Sequence, residues 1–209
     1  MKRNTQSLNA TGKRGTTDKS FKTRELRATD WPLVAKLFGD NGACGGCWCM
    51  SWRITPHGKT WRNATGESNR RAFKKLVESG KAHGILAFDR ALPVGWCSFG
   101  LRTDFPHTES AKAYRRSDID RVWSINCFFI QKAYRDRGVA TALAEAAIRA
   151  IEKRKGKIIE AYPAPLTKAG DKLPATFVWT GPEVLFQRLG FAEIQRLSYS
   201  RPLYRLKLR

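Results

Sequence analysis

Acidic residues are scarce in this chain. Its 209 residues include 18 Asp or Glu against 39 Lys or Arg, a formal charge of +21. A protein so charged repels polyamines, aminoglycosides and other strong cations, and attracts phosphorylated ligands, nucleic acid or acidic surfaces. Long apolar runs are missing too. Nothing approaches the ~20 residues that cross a bilayer, and the N-terminus has no apolar signal core, so neither a membrane-spanning nor a secreted protein is expected. Cysteine is sparse and odd in number: Cys44, Cys47 and Cys49 crowd into one stretch, with Cys97 and Cys127 apart. That pattern does not make a disulfide framework and points to a reducing cytoplasm. Neither the Walker phosphate loop nor the dinucleotide fingerprint occurs. What is present is an apolar content of 42%, with 11% aromatic, which suits one globular core in a chain of this length.

Residues 1–22 are polar, basic and without periodicity, which predicts a flexible tail ahead of one domain over 23–209. The tail shares the acid-poor bias of an organelle transit peptide but lacks its amphipathic stripe. Arg24–Arg27 reads as a first strand, and Thr29-Asp30-Trp31-Pro32 as a capped helix start. A dense segment, Cys44-Gly-Gly-Cys47-Trp48-Cys49-Met50-Ser51-Trp52-Arg53, follows. A second helix is expected from Glu67 to Ser79, with Ala72, Phe73, Leu76 and Val77 on its apolar face. His83–Phe88 and Val94–Leu101 form a hairpin around Asp89–Pro93, and Val122–Ile130 is the strongest strand. Gly138–Lys155 is the strongest helix, its face made of Val139, Leu143, Ala146, Ala147, Ala150 and Ile151. A short strand over Lys157–Tyr162, a loop over Leu166–Pro174, a helix over Pro182–Leu189 and one or two strands from Phe191 to Leu208 complete a single mixed α/β domain.

The turn Tyr134-Arg135-Asp136-Arg137-Gly138-Val139-Ala140-Thr141 lies where the strongest strand meets the strongest helix. Unpaired amides at the positive end of a helix suit a phosphate. Gly138 lets the backbone approach closely and Ala140 keeps the next position small. Arg135 and Arg137 add charge, and Thr141 offers a hydroxyl. Downstream stands Leu185-Phe186-Gln187-Arg188-Leu189-Gly190-Phe191, and upstream the hairpin ends in Pro93-Val94-Gly95-Trp96-Cys97-Ser98-Phe99-Gly100.

Together these resemble the GNAT superfamily of acyl-CoA-dependent N-acyltransferases, from about Arg24 to Leu208. The resemblance implies a twisted, mixed and mostly antiparallel sheet flanked by helices and splayed open after the strong strand, with acetyl-CoA or another acyl-CoA as co-substrate in the gap. By the same resemblance, the backbone of Phe128 and Ile130 pairs with the pantetheine arm. The amides from Arg135 through Arg137, Gly138, Val139 and Ala140, with Thr141, hold the pyrophosphate, and Phe186 packs near the thioester. It implies acetyl transfer by direct attack of an amine from a small molecule or a protein.

Two positions depart from the family. Ser124 stands where many members carry a carboxylate base, and Phe186 where many carry a tyrosine acid. Glu160 and Tyr162 share a strand face by the two-residue period and are the substitutes, acting through water. Cys127 is an inert strand cysteine, which alternation separates from Ser124 and Asn126. Cys44-x-x-Cys47-x-Cys49 lacks a well-spaced fourth ligand in His57 or His83, so no metal is expected. Trp48, Met50, Trp52 and Trp61 instead suggest an aromatic cap between the first two helices, bordering an acceptor pocket. Two other functions compete. The basic tail with Lys153-Arg154-Lys155-Gly156-Lys157 and the C-terminal arginines can grip nucleic acid, and a degenerate fold can bind acyl-CoA without turnover.

Overall fold

The computed structural model describes residues 21–54, 66–110, 114, 116–118, 121–165, 173–174, 177–196 and 202–209. The expected tail up to residue 20, His57, Trp61 and most of the expected loop over 166–174 lie outside them. Seven strands make one open sheet in the order β1-β2-β3-β4-β5-β7-β6. They are β1 (Lys22–Glu25), β2 (His83–Asp89), β3 (Leu92–Leu101), β4 (Val122–Ile130), β5 (Ile158–Ala161), β6 (Ala192–Gln195) and β7 (Leu203–Lys207). Every neighbouring pair is antiparallel except β4 and β5, which run parallel. The helices are α1 (Trp31–Phe38), α2 (Glu67–Glu78), α3 (Val139–Lys153) and α4 (Glu183–Arg188), with a short helical turn over His107–Ser110. None of the described helices is long and apolar enough to cross a membrane.

The long parallel crossover from β4 to β5 is made by α3. Its expected face is buried from Val139 through Leu143, Ala146, Ala147 and Ala150 to Ile151, packed on Ile85, Ala87, Val94, Cys97, Phe99, Ile125 and Phe128. Gly95 permits the close approach: a Cβ there would stand 2.7 Å from Val139 Cγ1. The opposite sheet face carries α1 and α2, where Trp31, Val34, Leu37, Phe38, Phe73 and Val77 bury Leu86 and Trp96.

Three local expectations change. Asp30 does not cap α1 with its side chain. Its carboxylate reaches back to the Arg27 N–H (2.8 Å) and to Arg24 Nη2 (2.9 Å), tying β1 to the helix start. Ala72 is exposed on α2, because the buried stripe runs through Asn69, Phe73 and Val77. The hairpin turn is also tighter than its five expected residues: only Arg90 and Ala91 separate the strands, with Arg90 at φ 55°.

The feature that positions the site is a bulge in β4. Ser98 pairs with Cys127 but Phe99 pairs with Ile125, which leaves Asn126 as the extra residue. β4 and β5 pair only from Val122 to Ile125, opposite Ile158 to Ala161. Beyond the bulge β4 continues to Ile130 paired with β3 but no longer with β5, and the sheet is split there.

Candidate active site

Past Ile130, a single helical turn (Lys132–Tyr134) leads into the segment that starts α3. Asp136 (φ 56°) and Gly138 (φ 81°) both take the left-handed conformation, which turns the chain sharply into the helix. The first-turn amides of α3 have no partner within the helix. Arg135, Arg137, Gly138 and Thr141 are exposed, Ala140 is half-buried, and Val139 is in the core. Nothing lies within 4 Å of where a Gly138 Cβ would be. The two arginines are anchored rather than loose. Arg135 Nε donates to the Ile130 carbonyl and Arg137 Nη1 to that of Ala133, both at 3.2 Å, and Arg137 stacks on Tyr134. The result is an open, positively charged cradle of backbone donors.

In the split, the Phe128 N–H donates to the Trp179 carbonyl at 2.6 Å. The chain just after Trp179 lies beside the continuation of β5, with the Ala164 N–H donating to the Gly181 carbonyl at 2.8 Å. Phe186 is buried from α4, its ring edge-on to Phe128 at 6.1 Å and to Phe191 at 5.2 Å.

Ser124, Glu160 and Tyr162 come together on the face opposite α3, all fully buried. Tyr162 donates its hydroxyl to Glu160 Oε2 at 2.7 Å. Glu160 also accepts from Arg102 Nη1 (3.0 Å) and Arg205 Nε (2.8 Å), and Arg205 makes a two-pronged pair with Asp118 at 2.8 Å. Burial, and then the Glu160 charge, push the Tyr162 phenol well above its ordinary range, which keeps its hydroxyl protonated. The Ser124 hydroxyl lies beside the same phenol, short of a fully formed hydrogen bond.

The bulge overturns the expected separation of Cys127 from Ser124. Ser98 and Gly100 share a face of β3, and Cys127 and Ser124 stand opposite them, so both point away from α3. Cys127 meets Cys49 there. The hydrogen bond from Cys127, then the Arg53 charge working against burial, pull the Cys49 thiol down, while Cys127 is pushed up. Cys49 also accepts from Trp96 Nε1 at 3.3 Å. Among the described residues no group of three His, Cys, Asp or Glu is arranged to hold a metal.

The expected aromatic cap divides in two. Trp48 packs on Trp31 (5.6 Å) and Phe38 (5.8 Å), between α1 and the sheet. Trp52 goes elsewhere: it stacks near Tyr162 (5.4 Å) and Trp179 (5.5 Å), and its Nε1 donates to the Asn126 carbonyl at 2.8 Å. This segment therefore reaches the split itself. Sequence reasoning missed Arg102, Arg205, Asp118 and the environment of Arg53. The one available signal was an arginine placed directly after an apolar strand, at Arg102, and directly after Trp52, at Arg53.

A model of the acetyltransferase (GNAT) family matches residues 49–167, more than half of the chain. The chain belongs to the GNAT family. Among solved structures, this GNAT protein is similar to an N-acetyltransferase from Staphylococcus aureus Mu50 (12% identity, TM-score 0.54, covering 91% of this chain and 99% of that one). It is also similar to the PaiA N-acetyltransferase from Thermoplasma acidophilum in complex with coenzyme A (12% identity, TM-score 0.52, 90% and 99%). A GCN5-related N-acetyltransferase from Kribbella flavida matches at 17% identity and TM-score 0.51, covering 90% of this chain and 98% of that one. At these identities the likeness shows the fold alone. No curated protein sequence matches the chain. The family membership assigns acyl transfer as the general chemistry.

Proposed function

We propose that this GNAT protein is an N-acetyltransferase that moves the acetyl group of acetyl-CoA to an amine by direct attack in a ternary complex. One observation carries the reading: β4 parts from β5 and leads, through one helical turn, into an exposed amide cradle at the N-terminus of a 15-residue helix. The backbone from Arg135 through Arg137, Gly138, Val139 and Ala140, with the Thr141 hydroxyl, binds the pyrophosphate. Phe128 and Ile130 offer backbone groups to the pantetheine arm, the Phe128 N–H exchanging the Trp179 carbonyl for the co-substrate. Phe186 backs Phe128 at the thioester end.

The Ser124, Tyr162 and Glu160 side chains form a short polar chain that takes the proton from the attacking nitrogen. Nitrogen bonds to the acetyl carbon, the carbon–sulfur bond breaks, and the proton lost by nitrogen is the one the thiol gains. Holding both reactants in one site supplies much of the rate. Glu160 shares its charge with two arginines, so its part is to orient Tyr162 and end the chain.

Isothermal titration with acetyl-CoA tests the reading, beside a Gly138→Trp variant whose melting temperature confirms its fold. Micromolar binding that the variant loses is expected, because the indole fills the open space over the cradle. No heat from the unaltered protein with acetyl-, propionyl- or free CoA overturns it.

A further inference from the structure

The split has a second set of polar groups that the acyl-CoA reading does not use. Asn126, the extra residue of the β4 bulge, is fully buried, and among the described residues neither its Oδ1 nor its Nδ2 has a hydrogen-bond partner. Arg53 presents the same anomaly: its Nε and Nη2 are buried and unpartnered, and among the described residues it makes no ion pair. The guanidinium lies over the Phe105 ring, its carbon 4.6 Å from the ring centroid. It is within electrostatic reach of Cys49, Asp104 and Cys127. Asp104 does not satisfy it, since that carboxylate is turned to the Leu101 N–H at 3.1 Å. Native interiors rarely leave such groups unpaired, and a charged one is the costliest.

These groups adjoin the split. Trp52 precedes Arg53 and bonds the Asn126 carbonyl, while Asn126 stands two residues before Phe128 in β4, about 7 Å of strand. A guanidinium fork matches an oxyanion. The carboxamide adds one donor for the same oxyanion and one acceptor for an ammonium or amine hydrogen. Trp52, Tyr162, Tyr114 and Phe105 supply aromatic walls.

We infer that Arg53 and Asn126 bind the anionic group of the acceptor, a small primary amine bearing an oxyanion one or two carbons from its nitrogen, of the amino-acid or aminophosphonate kind. The inference rests on the acyl-transfer reading and names the acceptor class that reading leaves open. The short distance from Asn126 to Phe128 leaves little room for a spacer between anion and amine. Arg53 sets affinity for the acceptor, and the acyl-CoA cradle on the far side of β4 is independent of it.

The test uses the full chain and follows thiol release from acetyl-CoA with L-amino acids, their primary amides and short aminoalkylphosphonates. Acids, or phosphonates, should exceed the matching amides by about ten- to a hundredfold in kcat/KM, the range for a hydrogen bond to a charged group. Which anion leads separates the carboxylate source from the phosphonate source. Arg53→Met should raise the KM for the anionic amine by a similar factor, with acetyl-CoA binding heat unchanged and Arg53→Lys recovering part of the loss. Because the comparison of acids with amides needs no variant, it stands even if Arg53→Met fails to fold. Amides used as well as acids overturn the inference. So does normal acetyl-CoA binding with no anionic amine acetylated. Absent acetyl-CoA binding defeats the enzyme reading first, and titration tells that failure apart from the others.

Discussion

On one face of the sheet, α3 lays Val139, Leu143, Ala147 and Ile151 against Ile85, Val94, Phe99 and Ile125, without a charge among them. On the other face, near the parting of β4 and β5, Arg102 and Glu160 are paired with no exposed surface on either side chain. The first face is held by contact area, and it tolerates change in proportion to the volume altered. The second is held by complementary charge out of water, where losing one member strands the others. Apolar filling of similar volume is often neutral or stabilising, so stability alone does not account for the polar face.

The largest expected effect follows from that contrast. Glu160→Gln keeps the shape but removes the charge facing Arg102, which is fully buried and also donates to the Tyr114 carbonyl. A loss of about 3–5 kcal/mol in unfolding free energy is expected by urea denaturation. A loss under about 1 kcal/mol would show that the pair is solvated and the contrast false. Tyr162→Phe leaves both arginine pairs intact and separates catalysis from support. It should lower kcat about a hundredfold, the lower range for an acid–base group, at a stability cost of about 1 kcal/mol. Unchanged kcat with the same stability loss removes Tyr162 from the proton path.

Next in size is a probe of the apolar face. At Gly95→Ala the new methyl meets Val139 Cγ1 at 2.7 Å and Leu143 Cδ1 at 3.1 Å, so the Val139 side chain or the helix that carries it must shift. Overpacking of this kind costs about 1–3 kcal/mol, read by thermal melting. Since α3 also carries the cradle, acetyl-CoA affinity should fall with it, whereas Tyr162→Phe should leave that affinity alone. An equal affinity loss in both variants would mean that the two faces are not separable.

The same contrast explains what the sequence made legible. The strand Val122–Ile130 and the buried stripe of α3 are where the sequence pattern places them, because a strand covered on both faces reads as one apolar run and a dry helix face turns every third or fourth residue inward. The turn at Gly138 was legible from a strand, a glycine and a helix in succession. The polar face was not. It is assembled from Cys49 to Arg53, Arg102, Asp118, Ser124 to Cys127, Glu160 to Tyr162 and Arg205, segments far apart in the chain that no local pattern joins. One inserted residue in β4 also defeats strand alternation: with Asn126 bulged, Cys127 lies on the face of Ser124, which strict period two assigns to its opposite. Asp30 misled for a related reason, since an arginine on a neighbouring strand outcompeted the helix end for its carboxylate.

The smallest effect lies at the rim of the polar face, where Asp118 meets Arg205. Its side chain is 39% exposed, so solvent screens the pair and little stability is at stake at neutral pH. The hydrogen bond from Arg205 holds the Asp118 carboxyl below its ordinary value. A carboxyl lowered in the folded state contributes its stability above the unfolded pKa, roughly 3.9, and loses it as pH falls through the folded value. The urea midpoint of Asp118→Asn should therefore fall less steeply than that of the unaltered protein below about pH 4, with parallel curves above about pH 5. Raising the salt concentration should shrink the difference, as it does for an exposed pair. A difference that persists in high salt would place Asp118 energetically with Glu160, and the charged face would then extend to the surface instead of ending at Arg205.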